Sequence, residues 1–370
     1  MADFNMFARW TFHNPVRVTA GVGVLERLHE LAPEGKVLLI TTAGFTRRGM
    51  TDRLMALLGE GRVLIHDWVT PNPELDDLEV AAENLKDSGL ASIVALGGGS
   101  VLDAAKVLAV TLLSDSERPL DHALRQGNAH TWIKRLPVIA IPTTSGTGAE
   151  VTPFATVWDS TTHKKHSVNG DNLYPTHALL DPTLTLTLPR QETLYTSLDA
   201  ISHALESLWN KNRTPVSEAL TLQALNLANE SLPVILEEPD NLGQRTRMQQ
   251  ASTLAGMAIS QTRTAIAHSI SYPLTSRYGV PHGLACSFTL VAIWEQCQHG
   301  ASEILKTDIV KKTIERLKGL NLPHEINKYI RDRNVAGLSE EMFVQASADN
   351  YIMSMDRFAV ERILQASLQE

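Results

Sequence analysis

The run Ala91–Leu96 (ASIVAL) passes directly into Gly97-Gly98-Gly99-Ser100 and then into a helical stretch, Val101–Leu113. A short apolar run closed by a glycine turn and a helix commits this part of the chain to a layered α/β arrangement. Flanking segments repeat the theme. Strands are expected at Lys36–Thr41, Arg62–Trp68 and Pro137–Ile141, with helices at Thr46–Leu58 and Glu74–Ser88. Nearly continuous apolar strands fit a parallel sheet covered on both faces. After Asp181-Pro182 the pattern changes to long helical periodicities: Glu192–Asn210, Pro215–Leu232, Gln244–Ser260 and His282–Gln298. Pro233, Pro239, Gly279, Pro281 and Gly319 punctuate them. A chain of 370 residues exceeds one ordinary core, so two domains are expected. The first is α/β with a Rossmann-like parallel sheet over residues 1–184, and the second is all-α over residues 185–370.

Composition narrows the partners. A formal charge of −8 argues against nucleic acid or an anionic membrane as the main partner. With Cys286 and Cys297 the only cysteines, a disulfide framework is absent and a reducing compartment is the simpler expectation. Cys286 reads as a buried, inert thiol. Neither a leader peptide nor a membrane-spanning apolar run is visible, so the expected location is cytoplasmic.

The glycine turn has a chemical use. Glycines let main-chain N–H groups approach a phosphate closely, and a helix start offers unpaired amides at the positive end of its dipole. Ser100 can cap that helix, with Asp103 three residues later at the capping-box position. Lys106 reads as a solvated helix residue. A second polar turn, Pro142-Thr143-Thr144-Ser145-Gly146-Thr147-Gly148-Ala149-Glu150, follows the strand at Pro137–Ile141. Two such turns at the ends of two strands favour a cofactor cleft, although either alone also serves as a plain connection.

A different pattern occupies the helical half. Asp199 and His203 stand four positions apart and share one helical face with Tyr195, Ser202 and Glu206. His268 and His282 each lie in mainly apolar surroundings. One carboxylate and three imidazoles suit a divalent Fe or Zn ion with room for a substrate oxygen. Each histidine taken singly reads equally as a satisfied core residue.

Together these segments resemble the iron-containing (group III) alcohol dehydrogenase family. The resemblance rests on Gly97-Gly98-Gly99-Ser100 with Asp103 and Lys106, the Pro142–Glu150 turn, Asp181-Pro182, Asp199-Ala200-Ile201-Ser202-His203 and Pro281-His282-Gly283. It spans nearly the whole chain. It implies a dinucleotide-binding domain and a helical metal domain with a ligand cleft between them, and at least a homodimer. It also implies metal ligands Asp199, His203, His268 and His282, with Fe2+ preferred over Zn2+. The implied NAD(P) contacts are Thr42, Gly98, Gly99, Ser100, Asp103, Thr143, Thr144, Thr147 and Lys165. Lys165 lies in the run His163-Lys164-Lys165-His166, which by itself reads as a solvated loop.

Two departures stand out. Many NAD-preferring members carry an Asp after the first strand; here Thr42 matches, followed by Arg47 and Arg48. Loss of a repelling carboxylate relaxes selection against a 2′-phosphate, so NADPH is expected to serve at least as well as NADH. Four residues after His268, where several members place a second His, this chain has Tyr272, a weaker candidate for proton relay. The stretch around Thr262–Thr275 and His282–Cys286 resembles the phosphonoacetaldehyde reductase branch. That branch implies reduction of phosphonoacetaldehyde to 2-hydroxyethylphosphonate, with Arg263 and Arg277 as candidate anion ligands. The competing expectations are reduction of an uncharged short aldehyde, such as lactaldehyde or butanal, and a dehydroquinate-synthase-like cyclase.

Overall fold

The computed structural model describes residues 9–127, 132–162, 164–298, 303–331 and 335–368. The chain divides into two compact units. One comprises Asn14–Thr144 and Ala149–Thr187; the other runs from Leu188 onward and includes Ser145–Gly148 and the described residues before Asn14. The second polar turn is thus shared out: Thr143 and Thr144 belong to the first unit, Thr147 to the second. No helix among the described residues is long and apolar enough to cross a membrane.

Among its described residues the first unit carries eight strands: β1 (Arg17–Ala20), β2 (Lys36–Ile40), β3 (Val63–His66), β4 (Leu90–Gly97), β5 (Val138–Pro142), β6 (Phe154–Asp159), β7 (Lys164–Asn169) and β8 (His177–Leu180). Six of them form a parallel sheet in the order β1-β8-β5-β4-β2-β3. The twofold period of a strand explains the unbroken apolar runs. Val37 and Leu39 of β2 enter one core with Val94, Leu96, Ile139 and Ile141. Leu38 and Ile40 enter another, on the opposite face, with Ile93, Ala95, Val138 and Ala140. Both faces are therefore apolar because both are covered.

Four strands lie outside those expected. β1 and β8 are four residues each, too short to announce themselves by periodicity, and they pair with each other at one side of the sheet. β6 and β7 form a separate antiparallel hairpin. The expected helix Thr46–Leu58 is two, α1 (Ala43–Arg47) and α2 (Met50–Leu58), parted at Gly49 with φ 73°. α3 (Leu75–Leu85) and α4 (Gly99–Thr111) follow.

Lys106 is buried rather than solvated. Its Nζ donates to the Phe154 carbonyl at 2.7 Å and to Thr152 Oγ1 at 3.3 Å, and lies 3.7 Å from Asp103. The hairpin supplies the cover that the helix alone could not reveal.

The second unit is helical: α5 (Arg190–Leu208), α6 (Pro215–Glu237), α7 (Leu242–Thr262), α8 (Ile266–Tyr278), α9 (His282–Ser287) and α10 (Leu290–Cys297) lead a longer series. Thr214 and Ser217 form a capping box at the start of α6, with Pro215 in the first turn. Pro233, expected to end this helix, lies inside it. The expected helix His282–Gln298 is again two, α9 and α10. α5 is central, buried from Leu198 to Leu208. Its buried residues include Asp199, Ser202, His203 and Glu206, and polar groups in such a place need partners.

Candidate metal centre and cofactor turns

α5 aims Asp199 and His203 from one face, α8 contributes His268 from its first turn, and α9 contributes His282 as its first residue. The three imidazoles surround one carboxylate oxygen. From Asp199 Oδ1, His203 Nε2 lies at 3.6 Å, His268 Nε2 at 3.5 Å and His282 Nε2 at 3.7 Å. The His203 and His268 rings stack at 4.7 Å, and His282 meets His268 edge-on at 5.3 Å.

Close approach of the helices makes this possible. A Cβ on Gly283 would fall 1.8 Å from the Tyr195 carbonyl, so only glycine lets α9 press against α5 here.

His268 is held from behind. Its Nδ1 lies 2.5 Å from Glu206 Oε2, while Glu206 Oε1 accepts from the Ala267 amide at 2.7 Å and the His268 amide at 3.3 Å. Glu206 is fully buried. A carboxylate on one ring nitrogen fixes the tautomer and leaves the other as a donor toward a metal. His268 Nε2 is buried and makes no hydrogen bond. Sequence reasoning placed Glu206 on the correct face without seeing this role; its position three residues after His203 was the available signal.

The electrostatics follow from the geometry. Burial pushes the Asp199 carboxyl up, but His203, His268 and His282 outweigh it and hold it well below the usual range. Burial pulls His268 down, yet Glu206 and then Asp199 prevail, and its pKa is pushed up to about 9. Burial keeps His203 below its ordinary value.

These residues fit a divalent cation. Bonds of about 2.1 Å place tetrahedral donors about 3.4 Å apart, close to the distances from Asp199 Oδ1 to the three imidazoles. Among the described residues the group whose ligand atoms all lie within 4.8 Å of one another is Asp199, His268, His282 and Cys286, and His203 falls outside it. The donor set is one carboxylate with three imidazoles, and two imidazole nitrogens, His203 Nδ1 and His268 Nε2, are buried without a hydrogen-bond partner.

Cys286, expected to be inert, is buried in the same cluster, its Sγ 3.4 Å from Asp199 Oδ1. Burial and then the Asp199 charge push its thiol well above the ordinary value. Tyr272 follows His268 by one helical turn, and burial likewise pushes its phenol up. Arg263 is exposed at φ 64°, its carbonyl held by Asn210 Nδ2 at 3.1 Å. Arg277 is engaged elsewhere: its guanidinium makes a bidentate pair with Glu341 at 2.7 and 2.9 Å on an exposed surface. Two of its five N–H donors are engaged there, on a surface pair.

In the α/β unit, the chain leaves β2, β4 and β5 at the same edge of the sheet through Thr42, Gly98 and Thr143. β2 and β4 flank the point where the strand order reverses, the usual ligand position in such sheets. The two turns touch: Thr143 N donates to the Gly97 carbonyl at 3.0 Å, and a Cβ on Gly98 would lie 3.4 Å from the Thr144 side chain. Ser100 does not cap α4. Gly98 is the cap residue, with Val101 N and Leu102 N donating to its carbonyl, and Ser100 Oγ accepts from the Asn72 amide at 3.2 Å. The glycines let the helix begin earlier than the serine suggested, which leaves Gly99 and Ser100 in its first turn with amides that helix geometry does not pair. Asp103 is committed within the fold, accepting from Thr156 N at 2.9 Å and facing Lys106. Those contacts make it a brace for the hairpin. Lys165 extends from β7 over the Trp158 ring at 5.8 Å; its neighbour His163 lies outside the described residues.

Known proteins share this arrangement. Residues 15–182 match the family described as iron-containing alcohol dehydrogenase, and residues 193–350 match the C-terminal domain of the same family. Phosphonoacetaldehyde reductase of Streptomyces viridochromogenes is 36% identical over 286 residues, covering 75% of this chain and 70% of that protein. The crystal structure of sulfoacetaldehyde reductase from Bifidobacterium kashiwanohense in complex with NAD+ superimposes with a TM-score of 0.88 at 27% identity, over 98% of this chain and 99% of that one. An iron-containing alcohol dehydrogenase from Thermotoga maritima gives 0.81 at 30% identity, over 97% and 99%. The chain belongs to the iron-containing alcohol dehydrogenase family and is an alcohol/aldehyde oxidoreductase.

Proposed function

We propose that this enzyme reduces a small, acid-bearing aldehyde such as phosphonoacetaldehyde to its primary alcohol, using NAD(P)H and a divalent cation. The observation that carries the reading is the meeting of three imidazole nitrogens within 3.7 Å of Asp199 Oδ1. When bound, a cation held by Asp199, His203, His268 and His282 supplies Lewis-acid polarisation of a carbonyl oxygen, and a reduced nicotinamide supplies hydride. The chain's own task is to hold the reactants and to manage charge. Glu206 keeps His268 oriented with Nε2 facing Asp199. The first-turn amides of Gly99 and Ser100, with the adjoining Thr143 and Thr144, suit a pyrophosphate. Tyr272, its phenol pushed up by burial, holds its proton tightly, and we assign proton supply to water.

Support for an acid-bearing substrate comes from the names of two relatives, one acting on phosphonoacetaldehyde and one on sulfoacetaldehyde. Arg263, five positions before His268 and exposed, is the guanidinium we assign to the anionic group.

At the adenosine end, a Cβ on Gly44 would meet Arg48 Nη1 at 3.4 Å, Thr42 Oγ1 at 3.6 Å and Arg47 Nη2 at 4.0 Å. Two guanidinium groups and a hydroxyl gathered there suit a 2′-phosphate, which supports use of NADPH.

The test is NAD(P)H oxidation by Fe2+-loaded protein across phosphonoacetaldehyde, sulfoacetaldehyde and propanal. The acid-bearing aldehydes are expected to give the higher kcat/KM, and Arg263→Ala to raise KM for them alone. Faster turnover of propanal removes the acid-bearing substrate, and full activity in a metal-free His268→Ala variant removes the metal mechanism.

A further inference from the structure

We infer that Cys286 is an additional donor to the cation, which makes this a mixed nitrogen, oxygen and sulfur site with a bias toward thiophilic ions such as zinc. The inference rests on the reading of Asp199, His268 and His282 as cation ligands.

The ligand atoms of Asp199, His268, His282 and Cys286 all lie within 4.8 Å of one another. Two donors on one ion at about 2.0–2.3 Å can be no farther apart than about 4.6 Å, so a cluster of this span closes on one cation with shifts of a few tenths of an ångström. The helical spacing is its cause. His282 and Cys286 stand four positions apart on α9, as Asp199 and His203 do on α5, so each helix presents a pair of donors from one face. Gly283, between the members of the second pair, brings α9 against α5.

Within that cluster the thiol donates to the same Asp199 oxygen that the imidazoles surround, at 3.4 Å, so Sγ stands at the center of the site. A second observation points to a cation at this place. His268 is 3% exposed, and its Nε2 faces this cluster without a hydrogen bond. Cys297, the other cysteine, is buried outside the cluster and is a natural control.

Thiolate is a soft ligand that favours Zn2+ over the harder oxygen-seeking ions, whereas carboxylate and imidazole alone serve Fe2+ and Zn2+ alike. One cysteine therefore shifts a balance that the other four side chains leave open.

The experiment is titration of the full-length apoprotein with Co2+, followed by absorption, on wild type, Cys286→Ser, Cys297→Ser and His268→Ala. One equivalent is expected to give visible d–d bands together with a near-ultraviolet sulfur-to-cobalt charge-transfer band. Cys286→Ser should lose the ultraviolet band and keep the visible ones, and Cys297→Ser should keep both. Loss of merely an outer partner of a metal ligand costs about tenfold in affinity, so Cys286→Ser is expected to weaken zinc, in competition with a chelator, by at least about tenfold. Its effect on Fe2+ should be smaller. Visible bands without an ultraviolet band in wild type, unchanged in Cys286→Ser, overturn the inference and leave the four-residue site standing. Failure of wild type to bind cobalt at one equivalent, or unaltered binding by His268→Ala, overturns both.

Discussion

Two side chains show how single residues set the chemistry. Glu206 touches no proposed substrate, but it holds His268 through Nδ1 and through two backbone amides. Glu206→Gln keeps the shape and removes the charge, so Zn2+ or Fe2+ affinity is expected to fall about 10- to 100-fold in chelator competition. Retained affinity would reduce Glu206 to a packing role. Thr42 makes the opposite kind of statement, through a charge it lacks. Thr42→Asp beside Arg47 and Arg48 should move the ratio of kcat/KM for NADPH over NADH downward by about tenfold or more, since one unfavourable charge contact is worth about 1.4 kcal/mol or above. An unchanged ratio would show that the adenosine end is not bound there. Asp199 and His203 were legible as a pair because four-residue spacing on one helix is a local property. The solvated reading of Lys106 fails because its burial depends on β6 and the residues just before it, which reach it from 48 and 46 positions away.

Among the elements, the decisive event is the approach of α9 to α5. Gly283→Ala would place a methyl group 1.8 Å from the Tyr195 carbonyl, and backbone cannot yield as a flexible side chain can. The helices must separate, so the variant is expected to lose about 3 kcal/mol in denaturant unfolding and to bind metal poorly. Equal loss of cation binding and of stability would be measured on the same protein; unaltered values for both would contradict the packing described. Propensity rules served well for the long helices and less well at their joints. Pro233 reads as a terminator, yet α6 continues through it, and the split between α9 and α10 leaves no clear breaker in the sequence. α8, with Pro273 inside it, lay outside the expected helices, although it carries His268.

Across the whole molecule, the α/β unit depends on a charge cluster that no motif announced. Arg125 forms bidentate pairs with Asp159, at 2.9 and 2.9 Å, and with Asp76, at 2.8 and 2.9 Å. Asp159 is buried, and Arg125 first, with Thr162 behind it, holds its carboxyl well below the usual carboxylate range. A depressed folded-state pKa contributes stability that is complete above the unfolded value, about 3.9, and is lost as pH falls below it. Thermal stability of wild type should therefore drop as pH falls below about 4, toward the depressed folded-state value. Arg125→Met leaves Asp159 buried and unpaired by charge, which is expected to cost about 3 kcal/mol near neutrality and to flatten that acid slope. Parallel melting curves for the two proteins against pH would contradict this. Strands β2 to β5, the long helices α5 to α7, the glycine turn and the shared face of Asp199 and His203 were readable along the chain. They follow from backbone periods of two and 3.6 residues and from turn chemistry, which act over a few positions. The meeting of His268, His282 and Cys286 around Asp199, and the commitment of Arg277 to Glu341, were not. Those depend on which distant elements pack together, and a side chain's local spacing says where it points on its own helix but not what it will meet.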